Sequence, residues 1–274
     1  RKAKPPRIYI ASDGARDEVE GEFEKVKEIR DYLISNIDWN CEVKTLFRDK
    51  NFGCKYAVSC AIDWFFDNEE MGIILEDDCL PSQSFFWYCE ELLIRHENDL
   101  RIWHISGNNF NKINCNRYSY SFTRSIHIWG WATWRDRWSK YDVKIKDFKY
   151  FDENNTIKDI FDSKKNQKHW YLIFKNVYDG LINTWDYQWV FTSWINSGLG
   201  IFPKYNLVTN IGFGPEATHT KNIKSKDSKI PFNELPFPLL HPKFLIIDSN
   251  VEKILETKFG ILKNFFSKLK SLIK

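Results

Sequence analysis

Three consecutive carboxylates, Glu76-Asp77-Asp78, close the apolar run Gly72-Ile73-Ile74-Leu75. Acids packed side by side repel one another unless a cation sits among them. Hard oxygen ligands suit Mg²⁺ or Mn²⁺, ions that keep a few protein carboxylates and fill the rest of their shell with water and substrate phosphates. The apolar run has no helical spacing and reads as a buried strand. In open α/β sheets ligands bind beyond the carboxyl ends of the strands. The triplet is therefore a candidate metal–diphosphate site, set against the plainer reading of a solvated acidic loop after a core strand.

Other chemistry-bearing residues are ambiguous on their own. Asp13, before Gly14, suits a turn or cap, and Arg48 can pair with an anionic ligand or with a local carboxylate. Asp186 opens a helical stretch, where a carboxylate is commonly an N-cap. His219 is a lone loop histidine in Gly214-Pro215-Glu216-Ala217-Thr218-His219, while His104 and His127 sit in apolar surroundings that suit core residues. Trp129, Trp131 and Trp134 belong to a dense aromatic segment that serves equally as a sugar-stacking platform or as core.

The elements that must position these residues alternate. A first strand, Arg7-Ile8-Tyr9-Ile10-Ala11-Ser12, precedes an amphipathic helix over 17–37 with Val19, Phe23, Val26, Ile29, Leu33 and Ile37 at three- and four-residue steps. Glu42 to Phe47 alternates as a second strand, Tyr56 to Asp67 is a helix, and the acidic-tipped strand follows. A helix from about Gln83 to Glu97 leads to the strand Arg101–Gly107. This alternation predicts βαβ units and a mainly parallel sheet flanked by helices. Tyr118 to Arg124 reads as a strand, Trp129 to Trp138 as an aromatic segment turning into a helix, and the charged stretch 142–168 as a mobile segment or lid. Helices follow at 168–182 and 186–197, the second stopped by Gly198, with short strands at Leu199–Phe202 and Asn206–Asn210. The spacing sets a domain at 1–220, a linker at 221–244 rich in lysine, serine and proline, and a basic amphipathic helix at 245–274. That helix is too charged to span a bilayer. It suits an anionic membrane surface or docking onto protein.

A chain of 274 residues with net charge +3 gives no reason to expect a nucleic-acid surface, and an aromatic share of 17% suits both a large core and sugar stacking. Six cysteines at 41, 54, 60, 79, 89 and 115 show no Cys-x-x-Cys pair, which argues against structural zinc and for reduced thiols in a cytoplasmic protein. The chain opens on Arg1-Lys2-Ala3-Lys4 with no apolar signal segment, as a trimmed or partial sequence would.

Four stretches occur in a telling order: Arg7 to Gly14, Arg48 to Cys54, Glu76-Asp77-Asp78 followed by Cys79-Leu80-Pro81-Ser82 and Phe85-Phe86-Trp87-Tyr88, and Trp185-Asp186-Tyr187-Gln188-Trp189. In this order, residues 7–220 resemble the GT-A (Rossmann-like) nucleotide-sugar glycosyltransferases, in particular the inverting N-acetylglucosaminyltransferase I family with its Glu-Asp-Asp motif, and related bacterial sugar transferases. The resemblance implies transfer of a sugar, N-acetylglucosamine in that family, from a UDP-sugar donor to a glycan or glycolipid acceptor, with Mn²⁺ or Mg²⁺ as cofactor. It implies Asp78 as direct metal ligand, Glu76 near the ribose, Asp77 bridging through water, Asp13 facing uracil, and Arg48 at the diphosphate. It also implies His219 reaching the metal, Asp186 as general base, and Trp129, Trp131 and Trp185 at the acceptor. The related base motif carries two adjacent aspartates, where this chain has Asp186 followed by Tyr187. A retaining transferase, a nucleotidyltransferase and a catalytically silent carbohydrate-binding domain stay open as alternatives. The expected location is cytoplasmic, at the inner face of the membrane if the terminal helix binds lipid.

Overall fold

Parallel pairing begins at once: β1 (Arg7–Ser12) and β2 (Glu42–Phe47) lie side by side with Arg7 opposite Glu42 and Ser12 opposite Phe47. The connection is a crossover through helix α1 (Glu22–Ser35), as parallel neighbours require. A computed structural model describes residues 3–110, 118–214 and 230–261, and the chain forms two compact units. The first runs to Glu69 and takes in 183–185. Its helix α2 (Gly53–Asn68) buries Ser59, Ile62 and Phe66 and sets Trp64 and Phe65 edge-on against Tyr9, with centroids 5.1 and 5.0 Å away. The Tyr9 hydroxyl donates to Glu69 at 2.8 Å, and Glu69 also holds Arg7.

The second unit, Glu70–Ile182 with 186 onward, is built on a mixed five-stranded sheet flanked by helices. Its elements are β3 (Met71–Ile74), β4 (Cys79–Pro81), α3 (Gln83–Arg95), β5 (Ile102–Ser106), β6 (Tyr120–Thr123) and β7 (Trp131–Trp134). These are followed by α4 (Arg135–Trp138), α5 (Phe148–Glu153), α6 (Ile157–Ile160), α7 (Lys164–Tyr178), α8 (Asp186–Ile195), β8 (Leu199–Pro203), β9 (Val208–Asn210) and α9 (Ser249–Ile261). Sheet order is β3-β7-β5-β8-β6. Here the mainly parallel expectation is corrected, because only β5–β8 is parallel while β3–β7, β5–β7 and β6–β8 are antiparallel. Among the described residues no helix lies between β5 and β7, and a parallel return would need a crossover connection.

The stretch 142–168 is no loose lid. Two short helices there drive Phe148, Phe151, Ile157 and Phe161 into the core, against Phe174, Phe191 and Trp194. Likewise the described part of the expected linker, 230–244, packs as a strap. Leu235 and Leu239 join the main core, and the Glu234 carboxylate accepts from Gln83 N at 3.1 Å and Ser84 N at 2.8 Å, capping α3 beside its own N-cap Ser82. Helix α9 is docked through Val251 and Leu255, buried with Phe202, and through Glu252, which takes the Arg124 guanidinium at 3.2 Å and the Thr123 hydroxyl. Residues 262–274 of the expected terminal helix lie outside the described residues. Among the described residues no helix is long and apolar enough to cross a membrane.

Candidate active site

Register brings the acidic loop to one end of the large sheet. Ile74 lies opposite Trp131, and Trp131 opposite Ser106, so the chain leaving β3, the chain entering β7 and the chain leaving β5 meet there. Gly130, at φ +68°, makes the turn into β7, and its carbonyl accepts from Gly107 N at 2.8 Å. A residue with a side chain pays a steric penalty in that left-handed region.

Beyond Leu75 the loop turns tightly, with Cys79 N donating to the Glu76 carbonyl at 3.0 Å, and re-enters as β4, paired antiparallel to β9 with Cys79 opposite Asn210. Asp77 is exposed, while Glu76 and Asp78 are half-buried. The Asp78 carboxylate accepts from the Cys79 thiol at 3.5 Å, and its backbone carbonyl accepts from Ile211 N at 2.8 Å. Burial, and then the neighbouring Asp78 charge, push the Cys79 thiol up, so it stays a neutral donor. Across from it Gly212, held by Asn210 Oδ1 at 2.8 Å, lies directly against the Asp78 side chain.

An aromatic wall flanks this loop. Trp129 meets Phe110 edge-on at 4.5 Å and Phe213 at 5.6 Å, and all three rings are half-exposed. The wall is tied to the acids on both sides. Gly130, next to Trp129, packs near Leu75, and Gly212, next to Phe213, abuts Asp78.

Helix α8 delivers Asp186 toward the same end. Its last turn lies at the opposite end, where Trp194 Nε1 donates to the Arg124 carbonyl at 2.8 Å and a tight turn feeds Leu199 to its partner Ile102. Midway, Trp189 Nε1 donates to His104 Nδ1 at 3.1 Å. The first residue of α8 therefore points to the Ser106 end of β5. Asp186 is half-buried and stands in the first helical turn, where a carboxylate complements the helix dipole. The αL residue that stops α8 is Ser197 at φ 55°, one position before the expected Gly198, whose N–H closes the turn on Ser193.

Several expected site residues have other work. Trp131, fully buried, stacks on His104 at 4.9 Å and Trp185 is 1% exposed, so neither offers a ring face for an acceptor. His104 is a core residue. Its Nδ1 accepts from Trp189 and its Nε2 donates to the His127 carbonyl at 2.9 Å, and burial lowers its pKa to about 3, leaving it neutral. In the first unit, Asp13 caps α2, its carboxylate accepting from Phe52 N and Gly53 N at 3.0 Å. Arg48 lies over the Phe52 ring at 5.3 Å and makes no ion pair among the described residues, which leaves its guanidinium available to an anion. Arg30, which helical spacing alone did not single out, braces the carboxyl ends of β1 and β2 through the carbonyls of Asp13 (3.0 Å) and Arg48 (2.7 Å). His219 lies outside the described residues.

Among the described residues no three His, Cys, Asp or Glu side chains converge into a protein-only metal cage. The donor set present, exposed Asp77 and half-buried Asp78 at a strand end, fits an ion that takes one or two carboxylates and leaves its other positions to phosphate oxygens. Comparison with protein-family models finds no match for the chain, and comparison with curated proteins finds none either.

Proposed function

We propose that this chain is a GT-A-type, metal-dependent inverting glycosyltransferase that moves a sugar, N-acetylglucosamine by preference, from a UDP donor to a hydroxyl of a glycan or glycolipid. The reading is supported by the acidic loop and the half-exposed Trp129 wall standing at one end of the sheet, the end toward which α8 directs its first residue, Asp186. Mn²⁺ or Mg²⁺ held by Asp78, with Asp77, would neutralise charge developing on the departing diphosphate. Glu76, beside them, serves the donor ribose.

In the transfer the acceptor oxygen attacks the anomeric carbon while the bond from that carbon to the diphosphate oxygen breaks. The bonding pair leaves with UDP, and the acceptor proton passes to the Asp186 carboxylate. Trp129 supplies an apolar face for a pyranose ring, and an indole N–H can orient toward sugar hydroxyls. The working location is the cytoplasmic face of a membrane, where a glycolipid acceptor would be presented.

Calorimetry of UDP binding tests the reading. UDP should bind with Mn²⁺ present and lose measurable affinity in EDTA, because phosphates and carboxylates repel without the cation. Equal affinity in both conditions would take the metal out of the function.

A further inference from the structure

At Gly212 any side chain would have to displace Asp78. An ideal Cβ built on it would stand 2.7 Å from Asp78 Cβ and 2.9 Å from Asp78 Cγ, closer still to Oδ2, and all three nearest atoms belong to Asp78. Its φ lies outside the left-handed region, so alanine would meet no backbone strain there. The tightest conflicts are all with the Asp78 side chain. On its other side the same carboxylate accepts from the Cys79 thiol.

We infer that Gly212 is a positioning residue for the metal and diphosphate site: its bare Cα and the Cys79 thiol together hold the Asp78 carboxylate in its binding rotamer. This rests on the reading of Asp78 given above. A flexible carboxylate at a strand end would sample several rotamers and bind a cation weakly. Packing Oδ2 against backbone and giving Oδ1 a donor removes that freedom before the ligand arrives. The contact also couples the acidic loop to the chain that leaves β9 toward Phe213, so the aromatic wall and the carboxylate share one anchor.

A double-mutant cycle on the full chain decides the matter. Mn²⁺ affinity is read from the paramagnetic resonance of free Mn²⁺, UDP affinity in Mn²⁺ by calorimetry, and folding by thermal melting. Gly212→Ala should weaken both affinities by about tenfold or more, the scale on which losing a contact that orients a metal ligand lowers metal affinity, with the melting midpoint within about 3 °C of wild type. In the Asp78→Ala background the same substitution should change neither affinity by more than about twofold, because its effect runs through Asp78. Cys79→Ala, which adds no atoms, should give a smaller loss that Cys79→Ser recovers. Unchanged affinities in Gly212→Ala would overturn the inference, and so would an equal loss in the Asp78→Ala background. If Gly212→Ala fails to fold, the cysteine pair decides, and wild-type affinity in Cys79→Ala then counts against the clamp. Wild-type protein that binds neither Mn²⁺ nor UDP would instead fail the functional reading itself.

Discussion

Asp186 and His104 are both tied to helix α8, yet they answer to different chemistry. Asp186→Asn keeps the shape of the side chain but cannot take a proton. Since general-base catalysis contributes about 10²- to 10⁴-fold, transfer should fall by that order while UDP affinity with Mn²⁺ stays near wild type. Loss of donor binding and thermal stability together would make Asp186 structural. His104 is held neutral by burial, its pKa lowered to about 3 from 6.5, and His96 is lowered to about 4 mainly by burial, with Arg95 adding to it. Between these values and 6.5 the unfolded chain binds protons that the folded one refuses, so stability should decline as pH falls through that window. Urea unfolding at stepped pH should show the decline. His104→Gln should flatten it, at a cost of about 1–3 kcal/mol at neutral pH for the partners left at Trp189 and His127. A steeper pH slope in the variant would refute the assignment.

Helix α9 shows how an element can change meaning once its partners are known. Its amphipathic pattern suited a membrane surface as well as docking, and the described part is docked by Val251, Leu255 and the Glu252–Arg124 pair. Glu252→Ala should therefore destabilise the fold by about 1–3 kcal/mol in urea titration, the lower end being favoured because a third of the Arg124 side chain is exposed and solvent screens it. An unchanged midpoint would mean that the helix adds no stability through this pair. Removing residues 262–274, with their lysines interleaved among apolar residues, should reduce co-sedimentation with anionic liposomes and leave the urea midpoint in place, if the tail is what meets lipid.

The same elements mark what periodicity can and cannot carry. Strands β1, β2 and β3 and helices α2 and α3 were legible because a run of apolar residues has one reading at period 2 or 3.6. The helices α5 and α6 were not, since 6 and 4 residues are too few to complete a period, and the charges around Phe148 and Phe151 mask their burial. The strap carrying Leu235 and Leu239 has no period at all. Nor could spacing reveal that Asp13 caps a helix starting 40 positions later, or that Trp131 stacks on His104 while Trp129 stays half-exposed. Antiparallel returns through β6 and β7 were hidden for a related reason, because strand patterning does not encode direction.

On the scale of the whole molecule, the proposed function turns on the acidic triplet. It ends the edge strand of a five-stranded sheet, is locked by β9 from the far end of the chain, and stands beside an aromatic wall built from three separate loops. Such an arrangement suits a donor that brings both a diphosphate and a sugar ring. The most direct measurement is UDP release from a panel of UDP-sugars by the full chain, with and without a glycan acceptor, in Mn²⁺ and in EDTA. The account predicts UDP release that needs Mn²⁺, is largest with UDP-N-acetylglucosamine, rises with acceptor, and is lost in Asp78→Ala. Folded protein that releases no UDP from any donor in Mn²⁺, or releases it equally in EDTA, would contradict the account.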